Sequence, residues 1–375
     1  MDTKKKILIL HVSAGHGHEK AARAIQEACR DISFQNQVEL YDSLEFMTGF
    51  FGRGYKKIYL FLIQHFPWLW GLAYYVADIS FVYFFIRPFR RFINHGTGRR
   101  LEALILGKNP DVVIATHFLP VEVVNYLKRK KLSHARLVTV ITDYLPHAFW
   151  LSREVDLYAV GSEETSADLQ KRGVHSEKIR ISGIPVEKKF TQPILREAAR
   201  TKLKLPSENF TLLITSGGAG IGVVEALVKK LLHSGKAAEL LAVCGTNKNL
   251  WARLDSLSKK SPKLHAFGFV DTIDVLMAAS DLVIGKGGGL TLTESLCVGK
   301  PMILFGSVPG QETRNARSMV RQGAARVANS LQEVVRLTVE IMNSPEILKE
   351  YTRAALRLAR PKAAEDIVRM ALSDG

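Results

Sequence analysis

Short apolar runs alternate with longer amphipathic stretches along most of this 375-residue chain, and that alternation limits the possible folds more than any other feature. An apolar run bounded by turn residues suits a strand covered on both faces, and strand–helix–strand succession builds a parallel sheet. Expected strands are Lys5–Ser13, Val38–Tyr41, Asp111–Ala115, Leu137–Ile141, Leu157–Val160 and Ile179–Ile181, then Phe210–Thr215, Leu240–Cys244, Leu264–Phe267, Asp281–Ile284 and one after Pro301. Between them lie expected helices at Glu19–Arg30, Gly98–Leu106, Val121–Lys130, Glu163–Arg172, Val223–His233 and Asn249–Lys259.

The segment Pro185–Pro206 is charged, lacks an apolar period and reads as a linker between two such series. The expected fold class is therefore α/β: two Rossmann-like, doubly wound parallel-sheet domains, with a cleft between the carboxyl ends of the sheets. Expected domains are residues 1–185 (with an aromatic and basic insertion at 46–100), linker 186–208, residues 209–345, and C-terminal helices 346–375 packing back toward the first domain.

Residues 281–315 carry the most chemistry. A strand runs into Gly287-Gly288-Gly289, a helix opens at about Leu290, and the polar pair Gln311-Glu312 starts a later helix. Glycines between a strand end and a helix start let backbone N–H groups approach a phosphate, where the helix dipole adds partial positive charge. Thr291 offers a hydroxyl there, and Glu294, one turn on, could take both hydroxyls of a ribose. The pattern suits a nucleotide sugar. Thr291-Leu292-Thr293-Glu294 equally fits a capping box, in which the Glu binds only its own helix. Gln311-Glu312 tips the balance, since that pair has no obvious packing role.

The first loop, His11-Val12-Ser13-Ala14-Gly15-His16-Gly17-His18, follows the first strand. As a dinucleotide fingerprint it is weak, because its third position is Lys20, where close helix packing wants Gly or Ala. There is no Walker A pattern. His18, at the mouth of a helix, is either a loop cap or a base able to take a proton from a hydroxyl near neutral pH.

A formal net charge of +16 favours a polyanionic partner, nucleic acid or an anionic membrane surface. Residues 53–100 decide between them: eight Lys or Arg stand against the single acid Asp78, among a dense block of aromatics including Trp68 and Trp70. Nucleic-acid surfaces use a few stacking aromatics on polar ground, so a membrane-surface element is the better match and no nucleic acid is expected. Arg87, Arg90 and Arg91 share one face of a short helical stretch, with Phe89, Phe92 and Ile93 on the other. The bland alternative makes the block ordinary core. A transmembrane helix over Trp68–Ile86 is rejected: Asp78 sits at its middle, both flanks are basic, and a span would divide one sheet between two sides of a membrane. The three cysteines are widely spaced and form no C-x-x-C pair, which fits a reduced cytosolic compartment.

Several motifs together resemble glycosyltransferase family 28, in the branch of monogalactosyldiacylglycerol synthases and processive diacylglycerol glucosyltransferases. They are Ser13-Ala14-Gly15-His16-Gly17-His18, Thr142-Asp143-x-x-x-His147-x-x-Trp150, Gly183-Ile184-Pro185, Gly217-Gly218-Ala219-Gly220, and Gly289-Leu290-Thr291 through Glu294 with Pro309-Gly310-Gln311-Glu312. The resemblance spans Lys5 to about Gly323. It implies a GT-B fold, an inverting reaction and a UDP-sugar donor. By position it makes His18 the base, with Asp143 orienting it or shaping the acceptor pocket. It gives Glu294 to the ribose, Leu290 and Thr291 to the diphosphate, Gln311 and Glu312 to the sugar hydroxyls, and Phe269-Val270 to uracil. Gly289 and the loop around Gly218 would stabilise the departing UDP. Plant-type members have a third glycine where this chain has His16.

No Asp-x-Asp pair occurs, so neither a metal nor another cofactor is expected. The resulting expectation is an enzyme that moves glucose or galactose from a UDP-sugar to 1,2-diacylglycerol, making a β-glycosyl lipid at the cytoplasmic face of the cell membrane. The alternatives are an N-acetylglucosaminyltransferase of the peptidoglycan lipid pathway, a UDP-sugar epimerase on the same fold, and a non-enzymatic membrane-binding module. The last would leave both glycine loops unexplained.

Overall fold

The computed structural model describes residues 4–13, 15–32, 35–48, 54–79, 81–86, 96–215, 217, 224–235 and 238–373. It divides into two units: Met1–Lys188 with Pro309–Gln311 and Arg360–Gly375, and Lys189–Val308 with Glu312–Ala359.

The first unit is built on a six-stranded, all-parallel sheet: β1 (Lys6–His11), β2 (Gln37–Asp42), β3 (Val112–Ala115), β4 (Arg136–Val140), β5 (Leu157–Val160) and β6 (Ile179–Ile181), in the order β2-β1-β3-β4-β5-β6. Its central strands are buried on both faces, as their uninterrupted Val, Ile and Leu require. Leu8, Val113 and Leu137 pack on one side of the sheet, and Ile9, Ile114 and Val138 on the other. Registers Ile9↔Ile114 and Ile114↔Val138 align the carboxyl ends of β1, β3 and β4, so the loops that follow them emerge at one edge.

The second unit repeats the plan with β7 (Phe210–Thr215), β8 (Ala238–Val243), β9 (Leu264–Phe267), β10 (Leu282–Gly285), β11 (Met302–Leu304) and β12 (Ala325–Val327), ordered β12-β11-β10-β7-β8-β9 and again all parallel. Here Gly217 follows β7, Phe269-Val270 follow β9, Gly287-Gly288 follow β10, and Gln311-Glu312 open the helix after β11.

Several expectations need correction. The first helix starts at His16, not Glu19, so His16 and His18 lie in its opening turn. The expected linker contains a helix, Arg196–Leu203, packed on the unforeseen helix Ile273–Ala279. Its apolar period was invisible because its buried anchor is an arginine. Arg200 is 1% exposed and donates to Asp281 Oδ2 at 2.8 Å and to the carbonyls of Ala279, Ser207 and Asn209. Asp281, expected inside β10, precedes it and also accepts the N–H of Thr211. The edge strand β12 was missed because three residues carry too little pattern. The segment 346–375 is not one block: Pro345–Leu358 belongs to the second unit, and Ala363–Leu372 lies against the helix His16–Ile32 in the first.

The aromatic block forms helices Tyr55–His65 and Pro67–Asp78, with further helical residues at 81–86. No helix among the described residues is long and apolar enough to cross a membrane. Ile79, with extended backbone, ends the helix where a span would have to continue.

Candidate active site

The first unit's carboxyl edge gathers side chains. β1 ends at His11 and the chain turns at Ser13, whose N–H reaches Asp42 Oδ1 at 3.3 Å. The helix then begins, and its third residue, His18, reaches across to the end of β3. Its Nδ1 lies 2.7 Å from the carbonyl oxygen of Thr116, and the Thr116 hydroxyl donates to the carbonyl of His18 at 2.9 Å. A carbonyl only accepts, so Nδ1 carries the proton and donates it. Nε2 is then the nitrogen with the lone pair. The Thr142 hydroxyl, after β4, lies 3.0 Å from the same Nδ1.

Two more rings wall the imidazole. His117 meets it edge-on at 4.7 Å between centroids, and Trp150 lies 6.4 Å away. Thr116, His117, Thr142 and Trp150 are all buried. Burial pushes the His18 imidazole below the ordinary 6.5, against the nearby Asp143 carboxylate and the Thr116 carbonyl, which both favour the charged form. His18 is therefore neutral at physiological pH, as a general base must be. His16, by contrast, is exposed.

The structure thus brings His18 and Asp143 together electrostatically, and adds Thr116, His117 and Thr142, which had not been singled out for this role. Thr116-His117 immediately follow a strand, the same signal that drew attention to His18. The partner that orients His18 is a backbone carbonyl, for which sequence has no letter.

The second unit's carboxyl edge is backbone chemistry. After β10 the chain runs through Gly287 and Gly288 into the helix Gly289–Cys297. Gly287 is gripped at both ends: its N–H donates to Ser307 Oγ at 3.0 Å, and its carbonyl accepts Asn315 Nδ2 at 3.1 Å. A Cβ there would stand 2.2 Å from the Glu312 carbonyl oxygen, so only glycine fits. A Cβ at Gly288 would meet nothing within 4 Å. Gly288 is the N-cap and has no side chain to satisfy the first N–H groups of the helix, which leaves donors and a positive dipole end for an anion.

Glu294 is buried, two turns from that N-cap. This disposes of the capping box, which needs a Thr at the N-cap and the Glu three residues later. Leu290 is buried and Thr291 half-buried in the first turn. Phe269 is 55% exposed beyond β9, with Val270 half-buried beside it. Gln311 and Glu312 open the helix Gln311–Arg321, but the premise that they have no packing role needs correction: Glu312 Oε2 accepts the Val308 N–H at 2.6 Å and closes the turn before its own helix. Gly217 has a φ of +75°, where glycine is favoured. Gly218 lies outside the described residues, as do Arg87, Arg90 and Arg91. Trp68 is exposed and Trp70 half-buried on the helix Pro67–Asp78.

Two parallel-sheet units, with a histidine held at one carboxyl edge and an uncapped glycine helix start at the other, make up the GT-B architecture. The fold matches MurG of Acinetobacter baumannii with a TM-score of 0.67 at 15% identity, covering 98% of this chain and 99% of that one. It also matches the Anabaena protein Alr3699/HepE in complex with UDP, with a TM-score of 0.58 at 15% identity over 98% and 99% of the two chains. Residues 18–186 match the family model described as monogalactosyldiacylglycerol (MGDG) synthase, and residues 211–367 the glycosyltransferase family 28 C-terminal domain. A relative named processive diacylglycerol beta-glucosyltransferase, from Bacillus pumilus, is 31% identical over 93% of this chain and 90% of its own. The chain belongs to glycosyltransferase family 28, in the branch of the monogalactosyldiacylglycerol synthases and processive diacylglycerol glucosyltransferases.

Proposed function

We propose that this protein is an inverting hexosyltransferase that moves a sugar from a UDP-sugar to the free hydroxyl of 1,2-diacylglycerol, forming a β-glycosyl lipid at the cytoplasmic face of a membrane. The observation that carries the reading is His18: neutral, with Nδ1 tied to the Thr116 carbonyl and Nε2 left to act as base. In this reaction Nε2 takes the proton of the acceptor hydroxyl as its oxygen attacks the anomeric carbon. The bond from that carbon to the UDP oxygen breaks on the opposite face, which inverts the configuration, and UDP leaves with the bonding pair. Asp143 stabilises the imidazolium that forms.

The N–H groups opening the helix Gly289–Cys297 suit the diphosphate, whose negative charge grows as the bond breaks. Thr291 would add a hydroxyl there, Glu294 would take the ribose, Phe269 and Val270 the uracil, and Gln311 and Glu312 the sugar. UDP itself is supported by the Anabaena fold neighbour, which is in complex with UDP.

A lipid acceptor is supported by the relative's name and by the exposed apolar residues Trp68, Leu72, Phe81, Phe84 and Phe85. Such a surface suits peripheral attachment to a bilayer, and an epimerase acting on a soluble nucleotide sugar would have no use for it. Glucose is the sugar the Bacillus pumilus relative's name points to, galactose the one the first family model's description points to. The deciding assay supplies purified protein with radiolabelled UDP-glucose or UDP-galactose and diacylglycerol in mixed micelles, followed by lipid extraction. Label in the lipid phase with one donor supports the reading and names the sugar; no lipid label with either overturns it.

A further inference from the structure

Asp78 is the one acid in a stretch otherwise apolar and basic, and its surroundings are built. It closes the helix Pro67–Asp78, which presents Trp68, Leu69, Leu72, Tyr75 and Val76 to solvent. Its own side chain is turned inward. Arg172, at the C-cap of the helix Glu163–Lys171, grips it with two parallel bonds of 2.9 and 3.0 Å. Asp78 Oδ1 also accepts the backbone N–H of Ala148 at 2.7 Å. One turn earlier on the same helix, the carbonyl of Tyr74 accepts His147 Nε2–H at 2.9 Å, while His147 Nδ1 accepts the N–H of Phe149. The Tyr74 ring lies 4.4 Å from the His147 ring. The exposed helix is thus sewn to the turn Ala148–Trp150, an element on which it packs.

That turn backs the base. Phe149 packs on Phe118 at 5.3 Å, Phe118 on His117 at 4.0 Å, and Trp150 lies within 6.4 Å of His18. A continuous set of rings therefore runs from the helix Pro67–Asp78 to the His18 imidazole. A bidentate Arg–carboxylate pair, largely out of water, fixes direction as well as distance.

We infer that Asp78, held by Arg172, is a positioning residue that sets the height of a lipid surface relative to His18. The inference rests on the proposed lipid acceptor. The exposed face of the helix meets the bilayer, and the Asp78–Arg172 pair holds that face at a fixed offset from the base. An acceptor confined to the bilayer reaches His18 only at that offset. A monomeric acceptor diffuses to the base and does not depend on it. Loosening the pair leaves the apolar face able to bind lipid but no longer sets the depth of the site.

The test uses full-length protein as wild type, Asp78→Asn and Arg172→Gln. The Asn retains an acceptor for Ala148 and removes the charge pair from one side; the Gln removes it from the other. Each is assayed with long-chain diacylglycerol in anionic phospholipid vesicles, and with short-chain diacylglycerol below its critical micelle concentration. Misplacement of reacting groups by about an ångström costs roughly a hundredfold, so kcat/KM on vesicles is expected to fall roughly ten- to a hundredfold in both variants. Vesicle cosedimentation and the rate on the monomeric acceptor stay within about twofold of wild type, given the few tenths of a kcal/mol that such a ratio represents. An equal fall on both acceptors, a parallel loss of cosedimentation, or no change on vesicles overturns the inference. Wild-type protein that glycosylates neither acceptor overturns instead the reading on which it rests.

Discussion

The carboxyl edges of the two sheets are made by opposite means. At the first, chemistry rests on side chains: an imidazole oriented by the Thr116 carbonyl, approached by Thr142 and walled by His117 and Trp150. At the second, it rests on backbone, where Gly288 caps a helix without a side chain and Gly287 is locked between Ser307, Asn315 and the Glu312 carbonyl. The first kind of site fails when a functional group is removed. The second fails when an atom is added. Proton removal needs a group of tuned pKa, whereas holding a diphosphate needs only donors and a dipole that exist before the ligand arrives.

That contrast is broken most sharply at His18. Replacing it with Ala should lower the single-turnover rate by about 10²–10⁴, the usual worth of a general base, with UDP affinity nearly unchanged. His16→Ala, one residue pair away in the same turn but exposed, should do much less. A larger defect in His16→Ala would mean that orientation by Thr116 is irrelevant to function.

Glu294, buried in the helix Gly289–Cys297, is the side chain proposed for the ribose at the second edge. Glu294→Ala should weaken UDP binding by roughly 1.5–3 kcal/mol, about ten- to a hundredfold, because a charged hydrogen-bond partner is lost. Calorimetry reporting unchanged UDP affinity would remove Glu294 from the donor site.

The adjacent glycines sharpen the comparison further. Gly287→Ala forces a Cβ against a backbone carbonyl, which cannot swing aside, and should cost about 1–3 kcal/mol of stability in denaturant melts. Gly288→Ala adds a Cβ into open space and should leave stability within about 0.5 kcal/mol of wild type. Any fall in UDP affinity in Gly288→Ala then reports the ligand directly. Equal destabilisation by both would show that the loop is not held as described.

The sequence was most readable where burial is continuous. Phe210–Thr215 and Leu157–Val160 were placed to the residue because an apolar run covered on both faces has few alternatives. Legibility failed where a polar residue does an apolar one's work: the helix Arg196–Leu203 was hidden because its anchor is Arg200. It failed also where a partner is distant. Asp78 stood against a membrane span in the sequence, yet nothing near it announced Arg172, 94 residues on. The glycine loop and His18 were visible as residue types that follow strand ends. What Glu312 does for its own turn was not, because a bond to the Val308 N–H leaves no trace in the order of residues.

The pH dependence of the single-turnover rate, measured with saturating donor in wild type and in His18→Ala, bears most directly on the identity of the base. A base works only when deprotonated, and burial holds the His18 imidazole below 6.5. The wild-type rate should therefore fall at acid pH along a single-proton limb whose midpoint lies below 6.5. In His18→Ala the residual rate should lack that limb. A wild-type limb centred above 6.5 would contradict the burial argument, and a limb that survives unchanged in His18→Ala would contradict the account and move the proton transfer to another group, Asp143 first.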